Sequence, residues 1–275
     1  MATRQPLHAC WYDHPRFCDI AFRSETPLEA DFIEAACRKY CPFQARWLLE
    51  PGCGAGRLVA EMAGRGYQLT GFDLNRPSLD YLRRRLARRG LRADVFEADM
   101  ADFQLPRPVD AAFCTVNTFR HLLTEQSAQR HLECISQNLR PGGIYILGFH
   151  LLPMDASEED TERWTERQGR TQVTVTLRVL STNRRRRIER LRVSLLARVG
   201  AREVRLRDEF SFRMYTAAQF RRLLASVPSL ELCGVYDFWY EIDHPMELND
   251  DRTDTVFVLR KRGTIDVPSR ERNPP

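Results

Sequence analysis

The sequence predicts an α/β fold: a mostly parallel sheet flanked by helices, interrupted late by an antiparallel sheet. Three observations carry this. From Ala45 to about His150, short apolar runs alternate with amphipathic stretches, as strand–helix–strand units require. From Thr171 to Met214 the texture becomes strict alternation, the period of antiparallel strands with one buried face. Between the first apolar run and the first amphipathic stretch lies a glycine loop, Gly52-Cys53-Gly54-Ala55-Gly56.

Taken in order, residues 1–44 read as a helical cap, because Leu28, Phe32, Ile33, Ala36 and Cys37 recur at three- and four-residue spacing. Residues 45–150 are the core. Its strands are expected at Arg46–Leu49, Tyr67–Phe72, Ala93–Phe96, Ala111–Val116 and Ile144–Phe149, and its helices at Leu58–Arg65, Leu79–Arg89 and Ala128–Leu139. Residues 151–215 form an antiparallel insertion after the fifth strand, a lid and possible dimer element, with strands at Thr171–Ser181, Ile188–Arg198 and Arg202–Met214. Residues 216–262 complete the core with a helix near Ala217–Ser226 and strands near Leu230–Phe238 and Thr255–Arg260. Residues 263–275 are polar and Pro-rich, the composition of a flexible tail.

Bulk properties narrow the function. The chain has 275 residues, 43% of them hydrophobic, enough for one α/β domain with an insertion. No run approaches the ~18 apolar residues of a membrane helix, and none follows Met1 as a signal peptide would, so a cytoplasmic location is expected. The eight cysteines are scattered, without metal-ligand spacing, and no metal is expected. The net charge of +5 is modest. Its one dense cluster, Arg184-Arg185-Arg186-Arg187, follows turn residues and reads as a solvated hairpin tip, so a nucleic-acid partner is disfavoured.

The chemistry is concentrated around Glu50-Pro51-Gly52-Cys53-Gly54-Ala55-Gly56. Glycines there permit a tight strand-to-helix turn and close approach of a ligand to the backbone. The spacing is not the G-x-G-x-x-G of dinucleotide sites. A carboxylate beside the loop would repel a pyrophosphate, yet it suits a ligand with an ammonium group. A second acid, Asp73, ends the next strand, where a carboxylate can accept ribose hydroxyls.

E-x-G-x-G-x-G resembles the first motif of the class I S-adenosylmethionine (SAM) dependent methyltransferases, and Leu139-Arg140-Pro141-Gly142-Gly143 is similar to that family's turn before strand five. The resemblance covers residues 45–150 closely and implies a Rossmann-like, seven-stranded sheet. It implies that Glu50 binds the methionine amino group, that Gly52, Gly54 and Gly56 line the methionine and ribose, that Asp73 holds the ribose, and that Leu74 packs on adenine. In Glu97-Ala98-Asp99-Met100 it implies that Asp99 takes the exocyclic amine and the Met100 amide a ring nitrogen. The loop from Thr115 would border cofactor and acceptor. Early aromatic and arginine residues close over SAM in small-molecule relatives such as amino-sugar N-methyltransferases and glycine N-methyltransferase. By that likeness Tyr12 and Arg23 join the cofactor site, Arg23 on the methionine carboxylate. S-adenosylhomocysteine (SAH) would be the product.

The acceptor is less legible, because in-line methyl transfer is largely positioning and needs a base only for a protonated nucleophile. The amino-methylating nucleic-acid enzymes carry an N/D-P-P-Y/F loop where this chain has Cys114-Thr115-Val116-Asn117-Thr118-Phe119. A small-molecule N or O acceptor is therefore expected. His121 and His150 follow the fourth and fifth strands and are the candidate bases; Arg120, Tyr215, Tyr240 and His244 are candidate acceptor contacts. A nucleic-acid or protein methyltransferase, and a SAM-binding protein without catalysis, are the alternative readings; a nicotinamide oxidoreductase is disfavoured by Glu50 and the glycine spacing.

Overall fold

The computed structural model describes residues 7–152 and 161–263. The N-terminal arm holds a short strand β1 (Leu7–His8), a 3-10 helix (Trp11–Asp13), and helices α1 (Pro15–Ala21) and α2 (Thr26–Tyr40). The core alternates as the texture requires: β2 (Trp47–Pro51), α3 (Arg57–Gly64), β3 (Gln68–Asp73), α4 (Arg76–Arg89), β4 (Asp94–Glu97), β5 (Val109–Cys114), α5 (Glu125–Asn138) and β6 (Leu139–His150). A second 3-10 helix (Thr118–His121) follows β5. The insertion contains β7 (Thr161–Gln168), β8 (Thr171–Asn183), β9 (Ile188–Val199) and β10 (Arg202–Arg213). Helix α6 (Ala217–Ala225) and strands β11 (Leu230–Tyr236) and β12 (Asp254–Lys261) end the described chain.

The core sheet has seven strands in the order β11-β12-β6-β5-β2-β3-β4. Strands β6, β5, β2, β3 and β4 are mutually parallel, and β12 alone is reversed, pairing antiparallel with both β6 and the edge strand β11. Alternate residues of each central strand feed opposite layers. Leu49, Ala112, Tyr145 and Phe257 pack with α5 and α6 through Leu132, Ile135 and Phe220. Leu48, Ala111, Ile144 and Val256 pack with α2, α3 and α4 through Ile33, Val59 and Leu82. All four residues of each set are fully buried, so the sheet is sealed on both faces, as parallel strands need.

The second sheet runs β1-β10-β9-β8-β7. Its inner face, with Val173, Val175, Val193, Leu195, Ala197 and Leu206, closes over Trp11, Ile20 and Ala21 of the arm. Its outer face is charged: Arg190 and Arg192 share Glu209, and Arg198 and Arg205 share Glu203. Two strands were not expected. Strand β7 carries little beyond Trp164 to signal burial, and β1 is two residues long. The Leu139–Gly143 segment is the irregular start of β6 rather than a separate turn: pairing shifts register between Val109 and Ala111, and Gly142 has a φ of 78°. Of the expected tail, residues 264–275 lie outside the described residues.

Among the described residues no helix is long and apolar enough to cross a membrane, and all eight cysteines are free thiols.

Candidate functional site

The site lies at the C-terminal edge of the parallel strands, where open α/β sheets bind ligands. Strand β2 ends at Glu50-Pro51, and the chain turns through Gly52, Gly54 and Gly56 with φ of 64°, 51° and 65°, values that glycine alone adopts without strain. A Cβ on Gly52 would come within 2.6 Å of Thr118, and one on Gly56 would overlap Leu82, whereas above Gly54 the space is open. Asp73 fixes the loop: Oδ2 accepts the Gly54 amide at 2.7 Å and Oδ1 the Asn75 amide at 2.8 Å. Burial nonetheless raises its carboxyl above the ordinary range.

Glu50 is 8% exposed. One oxygen accepts the Val59 amide at 3.1 Å, and the other meets no hydrogen-bond partner among the described residues. Burial pushes the carboxyl up to about 8; Arg57 opposes this, while Glu29 and Asp73 add to it. Glu29 was missed from sequence. It is fully buried, forms an ion pair with Arg57, and accepts a short hydrogen bond from Thr115 Oγ1. The available signal was its position: an acid spaced with Phe32, Ile33 and Ala36 on the apolar stripe of α2. Thr115 approaches β6 so closely that a side chain on Gly148 would overlap its carbonyl.

Asp99 is exposed and turns its carboxylate onto the Ala101 amide at 2.8 Å. Met100 is buried, its carbonyl held by His131 Nδ1 at 2.8 Å, and His131 Nε2 in turn meets the Tyr145 hydroxyl at 2.7 Å. The Leu74 side chain is 64% exposed beside Asp73. Arg23 is exposed in the turn between α1 and α2.

Beneath the inserted sheet two sequence candidates meet. The Tyr12 hydroxyl lies 2.9 Å from His121 Nε2, with Phe210 and Phe212 of β10 against the imidazole. Burial and the Arg120 charge push His121 down to about 4, and burial raises the Tyr12 phenol far above its usual range. Tyr12 is therefore the donor and His121 the acceptor of that bond. His121 Nδ1 has no partner among the described residues.

Other candidates are placed differently from expectation. Both ring nitrogens of His150 are engaged, Nδ1 with the Asn117 amide at 3.1 Å and Nε2 with Asp254 at 3.3 Å, which leaves no lone pair for an acceptor. Arg120 is buried, donating to Glu189 at 2.6 Å and to the Arg213 carbonyl at 3.1 Å, so it does not face a ligand. Tyr215 is sealed among Phe119, Phe149 and Phe220. Tyr240 is buried with its hydroxyl directed to the Thr115 carbonyl at 3.4 Å. His244 is exposed and paired with Glu241.

A family profile described as a methyltransferase domain matches residues 48–143. Residues 48–143 are a class I methyltransferase domain. The chain is 32% identical over 142 residues to a ubiquinone biosynthesis O-methyltransferase of Chromobacterium violaceum, covering 50% of this chain and 56% of that one. It spans about half the length of the curated relatives it matches. Among solved structures, a SAM-dependent methyltransferase from Clostridium acetobutylicum superposes with a TM-score of 0.75 at 15% identity, over 93% of this chain and all of that one. A sugar N-methyltransferase from Streptoalloteichus superposes with a TM-score of 0.71 at 18% identity, over 96% and 97% of the two chains. The methyltransferase fold therefore extends through the inserted sheet and the last two strands.

The residues around the glycine loop fit SAM by their own chemistry. The open space over Gly54, the under-partnered carboxylate of Glu50 and the half-buried Asp73 match an ammonium group and a ribose better than a pyrophosphate.

Proposed function

We propose that this chain transfers a methyl group from SAM to a nitrogen or oxygen of a small-molecule acceptor, an amine such as an amino sugar being the preferred class. The carrying observation is the Tyr12–His121 pair beneath the inserted sheet. Tyr12 is tied to the cofactor side, because its carbonyl accepts from Ser78 Oγ at 3.1 Å and Asp13 accepts from Asn75 at 2.8 Å, next to Asp73. The likeness to sugar N-methyltransferases over nearly the whole chain supports an amine.

Glu50 would hold the methionine ammonium, Asp73 the ribose, and Asp99 with the Met100 amide the adenine; Thr115, Tyr12 and Arg23 would close the pocket. Bound SAM supplies an electrophilic methyl on a sulfonium. The acceptor nitrogen forms the new C–N bond as the C–S bond breaks, which leaves an N-methylammonium. Passing that proton to an imidazole near 4 from an alkylammonium near 10 would be uphill by ~8 kcal/mol. The product therefore leaves the site as the N-methylammonium, and no base is needed to take its proton. The work of the pair is orientation: the Tyr12 phenol donates to His121, so its oxygen lone pairs are free to accept an acceptor N–H and aim the nitrogen.

Incubation with SAM and a panel of amino sugars, alkylamines and phenols, read as SAH release, tests the proposal. Tyr12→Phe and His121→Ala should each lower turnover by about 10²-fold or more while SAH affinity stays within a fewfold. Failure of SAH to bind would overturn the reading, and SAH binding without transfer to any acceptor would favour a binding protein.

A further inference from the structure

Arg120 immediately precedes His121, yet its side chain is buried between the core and the inserted sheet. Its guanidinium and the Glu189 carboxylate are 5% and 8% exposed. Nη2 donates to Glu189, Nε donates to the Arg213 carbonyl, and Nη1 stands 3.5 Å from Asn117 Oδ1. The guanidinium lies over the Phe212 ring at 4.7 Å, and His121 meets the same ring edge-on at 4.8 Å. Asn117, held at a left-handed φ of 55°, also bonds His150 Nδ1. One buried cation thus stands behind both histidines, behind His121 through a shared ring and behind His150 through a shared amide.

A buried ion pair is a poor device for stability alone, since apolar residues of similar volume often serve as well. Its orientation is the informative feature.

We propose that Arg120 is the positioning residue of the acceptor pocket: paired with Glu189, it is a fixed dipole whose positive end keeps His121 and His150 uncharged. Were His121 protonated, its Nε2–H would donate to the Tyr12 oxygen and occupy the lone pair that aims the acceptor. The groups facing His121 are Tyr12 from the first 3-10 helix, Phe210 and Phe212 from β10, and Arg120. Those facing His150 are Asn117, Phe238 and Asp254, with Asp237 acting on Asp254. Asp254 favours the imidazolium, but it is half exposed and screened; burial and Arg120 prevail and bring His150 down to about 4 as well. No group facing His121 opposes Arg120, so His121 is the cleaner reporter.

The test is a histidine-ring NMR titration of the whole chain, with signals assigned by His121→Gln and His150→Gln. In the wild type His121 should stay uncharged down to about pH 5, and in Arg120→Met/Glu189→Met it should titrate at least about one pH unit higher. Arg120→Lys, which keeps the charge, should resemble the wild type. Glu189→Gln, which strips the counter-charge, should leave the midpoint in place or lower it. An unmoved His121 in a folded double variant overturns the proposal. So does a rise in Glu189→Gln or Arg120→Lys, which would make the effect packing rather than charge; these two decide the matter if the double variant does not fold. The inference rests on the acceptor site described above. Because the titration needs no turnover, absence of methyl transfer counts against that reading and not against this one.

Discussion

Glu50 carries a consequence of burial that can be read in solution. Its folded-state pKa of about 8 lies above the ordinary value near 4.3 of an unfolded chain, so the folded state holds a proton that the unfolded state has lost. Between those values the folded state binds more protons, and the ligand-free protein should lose stability as pH rises through the window. An ammonium-bearing ligand needs the carboxylate. Below about pH 8 its binding must expel a proton, so SAH affinity should rise up to about tenfold per pH unit between roughly pH 6 and 8. Calorimetry in buffers of different ionisation enthalpy would count that proton, and Glu50→Gln should flatten the profile. A flat wild-type profile would remove Glu50 from the ammonium site. Asp73→Ala should weaken SAH binding about 10- to 100-fold, because it removes a charged partner from the site and releases the Gly54 and Asn75 amides. The places of Glu50 and Asp73 at the ends of β2 and β3 were legible because they follow from position along the chain. Glu29 and Arg120 were not, since what each does depends on partners, Arg57 with Thr115 and Glu189, that are distant in sequence.

At the scale of elements, legibility followed the strength of the period. Strands β8, β9 and β10 alternate over a dozen residues and were found; β7 is an edge strand whose solvated residues carry no period, and it was not. The arginine run sits in the β8–β9 turn as expected, but it is not wholly solvated. Arg187 reaches Glu125 on α5 and so pins the tip to the core, while Asn183 accepts the Arg186 amide at 2.9 Å within the turn. A tip that is a structural clasp predicts that Arg185→Glu/Arg186→Glu leaves SAH affinity and turnover within about twofold, with no new dependence on salt. A collapse of turnover restricted to a polyanionic acceptor would restore the nucleic-acid reading.

At the scale of the whole molecule, two apolar layers seal the core sheet while a third cluster joins the inserted sheet to the N-terminal arm. Helix α1 of the arm is tied to α4 of the core at a buried acid: Asp19 is 3% exposed and accepts from Arg85 at 2.5 Å and Tyr81 at 3.1 Å. Asp19→Ala leaves the Arg85 charge under the arm unpaired and should cost about 3 kcal/mol, visible as a lower midpoint of thermal unfolding.

The same arm bears on timing. From Ala9, whose amide reaches the Arg207 carbonyl, through Trp11 on Asp208 to Asp13 on Asn75, it bridges the inserted sheet and the first turn of α4 beside Asp73. Anything seated against Gly54 and Asp73 has this bridge on its flank. Its departure is then tied to breaking the bridge, so the residence time of the spent cofactor, rather than the making of the new bond, should set the pace: a burst of product in the first turnover, followed by a slow steady state that quickens when Asn75 is replaced by alanine.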